Sequence, residues 1–109
     1  MHVLMHMNDV DLAEAFTSYI ERRLRFGLGR FGVRVGQVTV RIGADGPGQR
    51  LCRISTEVLP FGHVAVEEKD PDLFSAVDRA TGRIGRLFGR ELERVRDART
   101  GRESVRLAA

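Results

Sequence analysis

The stretch DPDLFSAVDRATGRIGRLFGRELERVR, residues 70–96, predicts a long helix from about Asp72 to Arg96. Asp70 is expected to be its N-cap and Pro71 its first residue, because the first helical position needs no backbone N–H donor. Apolar side chains then recur at the steps of three and four residues that place them on one buried helix face. That face consists of Leu73, Val77, Ala80, Ile84, Leu87, Phe88 and Val95.

A second stripe on the predicted helix contains only arginine. At about 100° per residue these side chains fall in a narrow sector beside the apolar face. The helix can therefore pack on a core and still present a row of cations. An ordinary solvated face is the alternative interpretation, because most charged helix faces are simply solvated. The stripe consists of Arg79, Arg83, Arg86, Arg90 and Arg94.

The composition predicts one soluble domain. The chain has 109 residues, of which 42% are hydrophobic and 30% are charged, as in ordinary globular proteins. No apolar run approaches the ~20 residues of a membrane-spanning helix, and the first residues lack the pattern of a secretory signal. The single cysteine, Cys52, cannot form an internal disulfide and suits a reducing compartment. We therefore expect a cytoplasmic protein without a membrane partner.

The net charge of +3 conceals a strongly uneven distribution of charge. Arginines dominate between Arg22 and Arg53 and again from Arg79 onward, whereas acids dominate Asp9–Glu21 and Glu57–Asp78. Alternating basic and acidic blocks are typical of a protein with one basic face. All basic residues except Lys69 are arginine, the residue best suited to bidentate phosphate contacts.

Alternating apolar and polar residues predict four strands, and an amphipathic stretch predicts a first helix. That helix is expected to begin at Asp11, with Glu14 completing a capping box, and to end in the glycine-rich segment Phe26–Gly32. Its buried stripe is predicted to comprise Leu12, Ala15, Phe16, Tyr19, Ile20 and Leu24. The predicted strands are His2–Met7, Gln37–Ile42, Leu51–Val58 and His63–Glu67.

The resulting order, β-α-β-β-β-α, predicts an α+β domain. Short turns between the last three strands imply an antiparallel meander, to which the first strand must add. Each helix and each strand has one apolar side, so two helices should pack on one face of a four-stranded sheet and leave the other face open to water. The domain is expected to cover residues 1–98, with residues 99–109 as a disordered tail.

No constellation of residues predicts catalysis or metal binding. The histidines are His2, His6 and His63, and a zinc site would need a carboxylate or thiolate beside them. Cys52 is predicted to point into the core instead. No nucleophile has a matched base, and the sequence contains no phosphate-binding loop. We therefore predict a non-enzymatic protein with no catalytic residues, metal, cofactor or small-molecule substrate.

Three glycines interrupt the long helix at Gly82, Gly85 and Gly89. Each costs about 0.5–1 kcal/mol of helix stability relative to alanine, so their presence needs a cause. One interpretation is close packing of this helix against the first helix. The other is room for a nucleic-acid backbone to approach the arginine row.

Nucleic-acid binding is the function that the charge pattern favours. The arginine stripe, together with Arg22, Arg23, Arg25 and Arg30 near the end of the first helix, provides cations on rigid elements for phosphate contacts. Exposed aromatic rings are expected to be scarce, because Phe16, Tyr19, Phe74 and Phe88 are predicted to be buried. This combination predicts recognition of folded RNA by shape and phosphates rather than by base stacking.

The chain resembles the ribosome hibernation-promoting factor family, also called ribosome-associated inhibitor proteins. The most specific match is Asp72–Asp78, DLFSAVD, which fits the D-[ML]-[YF]-x-A-[IV]-D opening of the family's final helix. Asp11–Phe16, Arg22–Leu24 and Gln37–Val40 are similar to the family's first-helix start, basic segment and second strand. The resemblance covers residues 1–98.

This resemblance implies a cytoplasmic bacterial stress protein that binds the small ribosomal subunit where messenger and transfer RNAs would lie, and so blocks translation. Basic residues of both helices would contact ribosomal RNA. In many members inactive ribosome dimers form, but we expect this chain not to pair ribosomes by itself and at most to form a weak homodimer. Carried over by position, the RNA contacts are Arg22, Arg23, Arg79, Arg83, Arg86, Arg90 and Arg94.

Two alternatives stay open from the sequence alone. A general structured-RNA-binding domain of the same fold would bind a different RNA target. A protein-interaction module would instead pair with another chain through the open sheet face or an exposed strand edge. Binding that weakens steeply with salt would favour RNA.

Overall fold

A computed structural model of the chain describes residues 1–7 and 10–108, together with the side-chain surroundings of residues 1–7 and 14–98. The predicted element order is confirmed, with a short 3₁₀ helix added after the first α-helix. The elements are β1 His2–Met7, α1 Val10–Leu28, the 3₁₀ helix Gly29–Arg34, β2 Val35–Ala44, β3 Arg50–Val58, β4 Gly62–Asp70 and α2 Leu73–Ala108.

The strands form one four-stranded sheet in the order β1-β2-β3-β4. The strands β2, β3 and β4 are antiparallel neighbours, which confirms the predicted meander. Strand β1 joins the edge parallel to β2, with Val3 opposite Val38 and Met5 opposite Val40. This parallel pairing is possible because α1 connects the two strands and returns the chain to the end of the sheet from which β1 started.

One hydrophobic core lies between the helices and a single face of the sheet. Alternate residues of the central strands, such as Val38, Val40 and Ile54, have no exposed surface. Most residues of both predicted apolar stripes lie in the same cluster, which confirms that the two helices cover the same sheet face. The predicted burial of Ala15 is wrong, since that residue is exposed, and the side chain of Leu12 lies outside the described residues. The largest fully buried side chains are Phe88, Ile20, Leu24, Leu28, Ile54 and Ile84, and burial of each contributes about 1.5–3 kcal/mol.

The start of α2 differs from the prediction. Its first residue is Leu73, and its N-cap is Asp72, whose Oδ1 accepts a hydrogen bond from the backbone N–H of Phe74 at 3.3 Å. Asp70, the predicted N-cap, accepts the backbone N–H of Asp72 at 2.8 Å in the preceding turn. Pro71 therefore precedes the helix instead of opening it. The two aspartates are both capping residues by type, so the sequence could not choose between them.

Two other predicted helix boundaries also moved. Helix α1 begins at Val10, so Asp11 lies inside it and is not its N-cap. Helix α2 continues past the predicted end near Arg96 as far as Ala108. The separation of residues 99–109 as a disordered tail stays a prediction, since their side chains lie outside the described residues.

The chain leaves α1 within the predicted glycine-rich segment. The α-helix ends at Leu28, and the following 3₁₀ helix is broken at Gly32, which has a φ of 55° and a ψ of −125°. Residues with a side chain rarely adopt these backbone angles, whereas glycine adopts them freely. The break turns the chain toward β2. The carbonyl of Arg34, the last residue of the 3₁₀ helix, accepts the backbone N–H of Leu59 at 2.8 Å.

The two α-helices cross in near contact at two glycines. A Cβ atom added at Gly85 would lie 2.9 Å from the carbonyl oxygen of Gly27, and one added at Gly27 would lie 3.3 Å from that of Thr81. The close-packing interpretation therefore holds for Gly85. At Gly89 a Cβ would make an ordinary contact, and at Gly82 its nearest neighbour would be a guanidinium nitrogen of Arg86 at 3.9 Å.

We expect Gly85→Ala to destabilise the protein by about 1–3 kcal/mol, because the new methyl group must push the two backbones apart. Gly82→Ala is the matched control in the same helix. It should stabilise the protein by about 0.5–1 kcal/mol, because alanine is the better helix former and the space is open. Urea unfolding followed by circular dichroism measures both. Equal stability of the two variants would contradict the close crossing.

A second prediction concerns the thiol of Cys52, which is fully buried in the core. Burial raises its pKa to about 12, so the reactive thiolate is suppressed at neutral and mildly alkaline pH. We expect a thiol reagent at pH 8 to label Cys52 only as fast as the protein opens, and rapidly once urea unfolds it. Labelling of the folded protein at the rate of a free cysteine would show that the core is not closed at β3.

Candidate nucleic-acid interface

The first part of the predicted arginine stripe is engaged with the edge strand β4. Nη2 of Arg79 lies 2.6 Å from Oδ2 of Asp70 and donates to the carbonyl of Lys69 at 3.0 Å. Nη1 of Arg83 lies 2.7 Å from Oε1 of Glu68, whose side chain is only 19% exposed. These contacts attach α2 to the edge of the sheet. The positive charges of Arg79 and Arg83 are consequently compensated within the fold.

This attachment is sensitive to acid. The backbone N–H of Asp72 and the guanidinium group of Arg79 together hold the pKa of the Asp70 carboxyl below its usual value. A depressed pKa in the folded state means that the contact stabilises the fold above the unfolded-state pKa. That contribution is lost as the pH falls through the lower, folded-state value. The contact between Asp70 and Arg79 is therefore fully formed at neutral pH.

The far end of the stripe is also paired. Nε of Arg94 lies 2.8 Å from Oε1 of Glu91, one turn earlier on the same helix. The hydrogen bond from Arg94 lowers the pKa of Glu91, which therefore carries its negative charge at neutral pH. Three arginines of the stripe on α2, Arg79, Arg83 and Arg94, thus have carboxylate partners.

The middle of the stripe is different. Among the residues whose side chains are described, no carboxylate forms an ion pair with Arg86 or Arg90. Both are exposed, and they border a shallow hollow that also contacts Arg83 and Leu87. This part of α2 presents uncompensated positive charge to solvent.

Arg86 also borders a groove between the two helices, which we call the interhelical groove. It measures about 200 Å³ and lies beside the close crossing of the helices. Its walls are Arg23, Phe26, Gly27 and Arg30 on the α1 side and Thr81, Gly82, Gly85 and Arg86 on α2. Arginines from the two basic blocks of the sequence therefore meet around one depression.

The two arginines on the α1 side of the groove, Arg23 and Arg30, each contact a neighbouring side chain. Nε of Arg23 lies 3.5 Å from Oδ1 of Asp78, which also accepts a short hydrogen bond from the Tyr19 hydroxyl. That hydrogen bond raises the pKa of Tyr19. The guanidinium carbon of Arg30 lies 4.7 Å from the centroid of the Phe31 ring, a cation–π geometry. Arg23 thus has an ion-pair contact with Asp78, but among the described residues its Nε has no hydrogen-bond partner, and Arg30 has a cation–π contact with Phe31.

The remaining predicted RNA-binding residues, Arg22 and Arg25, are exposed on α1 but do not line the interhelical groove. The structure thus brings Arg23, Arg30 and Arg86 together and leaves Arg90 beside them. Arg79, Arg83 and Arg94 do not line this groove, and each is paired with an acid, although Arg83 also borders the neighbouring hollow of Arg86 and Arg90. Sequence spacing could not reveal the pairing of Arg79 and Arg83, because Glu68 and Asp70 come from a different element, whereas Glu91 precedes Arg94 by three residues in the same helix.

One residue of the groove, Phe26, was not among the RNA-binding residues predicted from the sequence. Phe26 is 86% exposed and stands among the arginines. The signal was available, because the buried positions Phe16, Ile20, Leu24 and Leu28 recur every four residues and place Phe26 on the opposite side of α1. The prediction of a buried Phe74 was also wrong, since its side chain is 49% exposed although its ring packs on Phe16 at 4.5 Å.

The opposite, open face of the sheet has mixed charge. Nη1 of Arg53 lies 3.5 Å from Oε2 of Glu67, and Nζ of Lys69 lies 2.8 Å from Oδ2 of Asp45.

Within the described residues, no group of three or more histidine, cysteine, aspartate or glutamate side chains is placed to hold a metal ion. No helix in the part of the chain searched is both long and apolar enough to cross a membrane.

Comparison with known proteins agrees with this architecture. A family model described as sigma 54 modulation protein / S30EA ribosomal protein matches residues 3–96. The N-terminal domain of Protein Y from Thermus thermophilus is 28% identical, with a TM-score of 0.67 over 83% of this chain and 98% of that chain. No curated protein sequence matches the chain significantly.

A second solved structure, a ribosomal subunit interface protein from Coxiella burnetii, superposes with a TM-score of 0.68 over 83% of this chain and 96% of that chain. At 14% identity this likeness concerns the fold alone. The family model, by contrast, spans nearly all of the two-helix, four-stranded domain, and it confirms the resemblance found in the sequence. The chain belongs to the sigma 54 modulation protein / S30EA ribosomal protein family, a family of ribosome-associated proteins.

Proposed function

We propose that this protein is a non-enzymatic, cytoplasmic stress factor that binds the small ribosomal subunit and inactivates it. Its helix side occupies the RNA-lined channel that messenger and transfer RNAs would otherwise fill. Arginines on both helices hold the ribosomal RNA through its phosphates. The observation that carries this proposal is the convergence of Arg23 and Arg30 with Arg86 around the interhelical groove, in a chain of a ribosome-associated family.

The charge arrangement supports RNA as the partner. Uncompensated arginines on rigid helices attract phosphates without first having to break an internal ion pair, whereas a paired arginine must lose its carboxylate. By this argument Arg30, Arg86 and Arg90 form the centre of the contact, with Arg22 and Arg25 adding exposed charge on α1. Arg23 lines the same groove, but its Nε already lies 3.5 Å from Oδ1 of Asp78, so it offers less free charge. Arg79, Arg83 and Arg94 contribute less, because Asp70, Glu68 and Glu91 compensate them.

The proposed function is tested by sedimenting the purified protein with bacterial ribosomes through a sucrose gradient at about 0.1 M and about 0.5 M salt, since phosphate contacts weaken steeply with ionic strength. We expect the protein to migrate with the small subunit at the lower salt and to be released at the higher. Absence of co-migration at the lower salt would overturn the proposal. Binding to naked RNA but not to ribosomes would favour a general RNA-binding domain.

The division of the arginine stripe generates a second prediction. The double variant Arg86→Gln/Arg90→Gln should weaken ribosome binding by roughly tenfold per arginine, because each substitution removes a charged hydrogen bond worth about 1.5 kcal/mol or more. The slope of log affinity against log salt should fall by roughly one per arginine. Fluorescence anisotropy of labelled protein with small subunits measures both quantities.

The matched control is Arg79→Gln/Arg83→Gln, which removes the same charge from the same helix. It should lower the urea midpoint, because the attachment of α2 to β4 is lost, and it should reduce ribosome affinity less than the first pair does. If the two pairs weaken binding equally, the internal carboxylates do not decide which arginines contact RNA.

A further inference from the structure

We infer that Phe26 is a stacking platform for one unpaired RNA base, and that Arg23, Arg30 and Arg86 hold the phosphates on either side of that nucleotide. This inference rests on the proposed function and names what the interhelical groove receives. It adds base stacking to a surface that the sequence predicted to bind RNA by shape and phosphates alone.

The first support is the position of the ring. Single exposed apolar side chains are common on protein surfaces and need no explanation. Val33 is such a residue, since it is 89% exposed and does not line the interhelical groove. Phe26 is 86% exposed as well, but it lines the interhelical groove together with three arginines. An aromatic face among cations is the arrangement by which proteins bind single-stranded nucleic acid.

The second support is the space around the ring. The neighbouring wall consists of Gly27, Gly82 and Gly85, which have no side chains. Close helix packing explains Gly27 and Gly85, but a Cβ at Gly82 would meet nothing nearer than 3.9 Å. The helical cost of Gly82 is therefore not offset by internal packing. An open wall leaves room for a flat base to lie on the ring at the usual contact distance of about 3.5 Å.

The third support is the different chemistry of the aromatic ring and the guanidinium groups. Bases within an RNA duplex stack on their own neighbours, so only an unpaired base in a loop, bulge or single strand can offer its face to Phe26. The guanidinium groups are positioned independently of RNA, Arg23 by Asp78 and Arg30 by the Phe31 ring. The groove can therefore bind a nucleotide whose base stacks on the Phe26 ring while its phosphates contact the arginines.

The variant Phe26→Trp tests the stacking directly. The chain contains no tryptophan, so the substituted residue supplies the only indole fluorescence, and stacking of a base quenches it. The probes are a single-stranded oligouridine of about ten nucleotides and an abasic strand of the same length, a size comparable to the RNA tract that one such binding surface covers. We expect the oligouridine to quench the fluorescence, and the abasic strand to bind through its phosphates without quenching.

Equal quenching by both strands would overturn the inference, because it would place only phosphates near residue 26. Absence of quenching by the oligouridine at low salt would also overturn it. Since Phe26 is almost fully exposed, the substitution should leave the urea midpoint unchanged, which separates a loss of stacking from a loss of folding.

Ribosome binding supplies the second readout. Phe26→Leu keeps an apolar side chain of similar reach but removes the ring, and it should weaken binding to small subunits on the order of tenfold to a hundredfold. Val33→Ala, at an equally exposed site outside the groove, should bind as the unaltered protein does. If the unaltered protein binds and Phe26→Leu binds equally well, the stacking inference fails while the proposed function stands. If the unaltered protein does not bind ribosomes, the proposed function itself fails.

Discussion

The close crossing of α1 and α2 is the contact on which the rest of this surface depends. A methyl group at Gly85 would collide with the carbonyl oxygen of Gly27, and one at Gly27 would make a tight contact with that of Thr81. Helices with larger side chains at the crossing would stand further apart, at the usual 8–10 Å or more between axes. The short distance creates one narrow groove instead of two separate helix faces. Residues far apart in the chain, Arg23 and Arg86 among them, can then act on the same ligand.

A second constraint is the compensation of charge within the fold. The arginine stripe looks uniform along the helix, but its positions pass over different surroundings. Near the start of α2 the stripe lies above the edge strand, where Glu68 and Asp70 neutralise Arg79 and Arg83. In the middle no described carboxylate compensates Arg86 or Arg90. Coulomb energy favours the nearest partner of opposite sign, so the same side chain stabilises the fold at one position and remains available to a ligand two turns later.

As a result of these two constraints, Gly82 and Gly85 lie in different surroundings. Gly85 permits the crossing, whereas Gly82 faces the open groove. From the sequence, these glycines could serve either close helix packing or the approach of a nucleic-acid backbone. The structure shows close packing at Gly85 but not at Gly82. The same geometry exposes Phe26, because the turn of α1 that buries Leu24 and Leu28 directs the intervening side chain outward. An aromatic ring, an open wall and three cations therefore occur together as consequences of one helix pair.

The sequence by itself determined the element order, the meander and the buried side of each element. Alternation in the strands and the three- and four-residue spacing in the helices follow from local geometry and need no knowledge of distant residues. The DLFSAVD motif at Asp72–Asp78 likewise sufficed to identify the family. The parallel pairing of β1, the choice of Asp72 over Asp70 as N-cap, and the division of the arginines were decided only by the tertiary structure. The strand pairing and the compensation of Arg79 and Arg83 depend on which residues from separate elements come within a few ångströms, and the spacing along one helix carries no information about that.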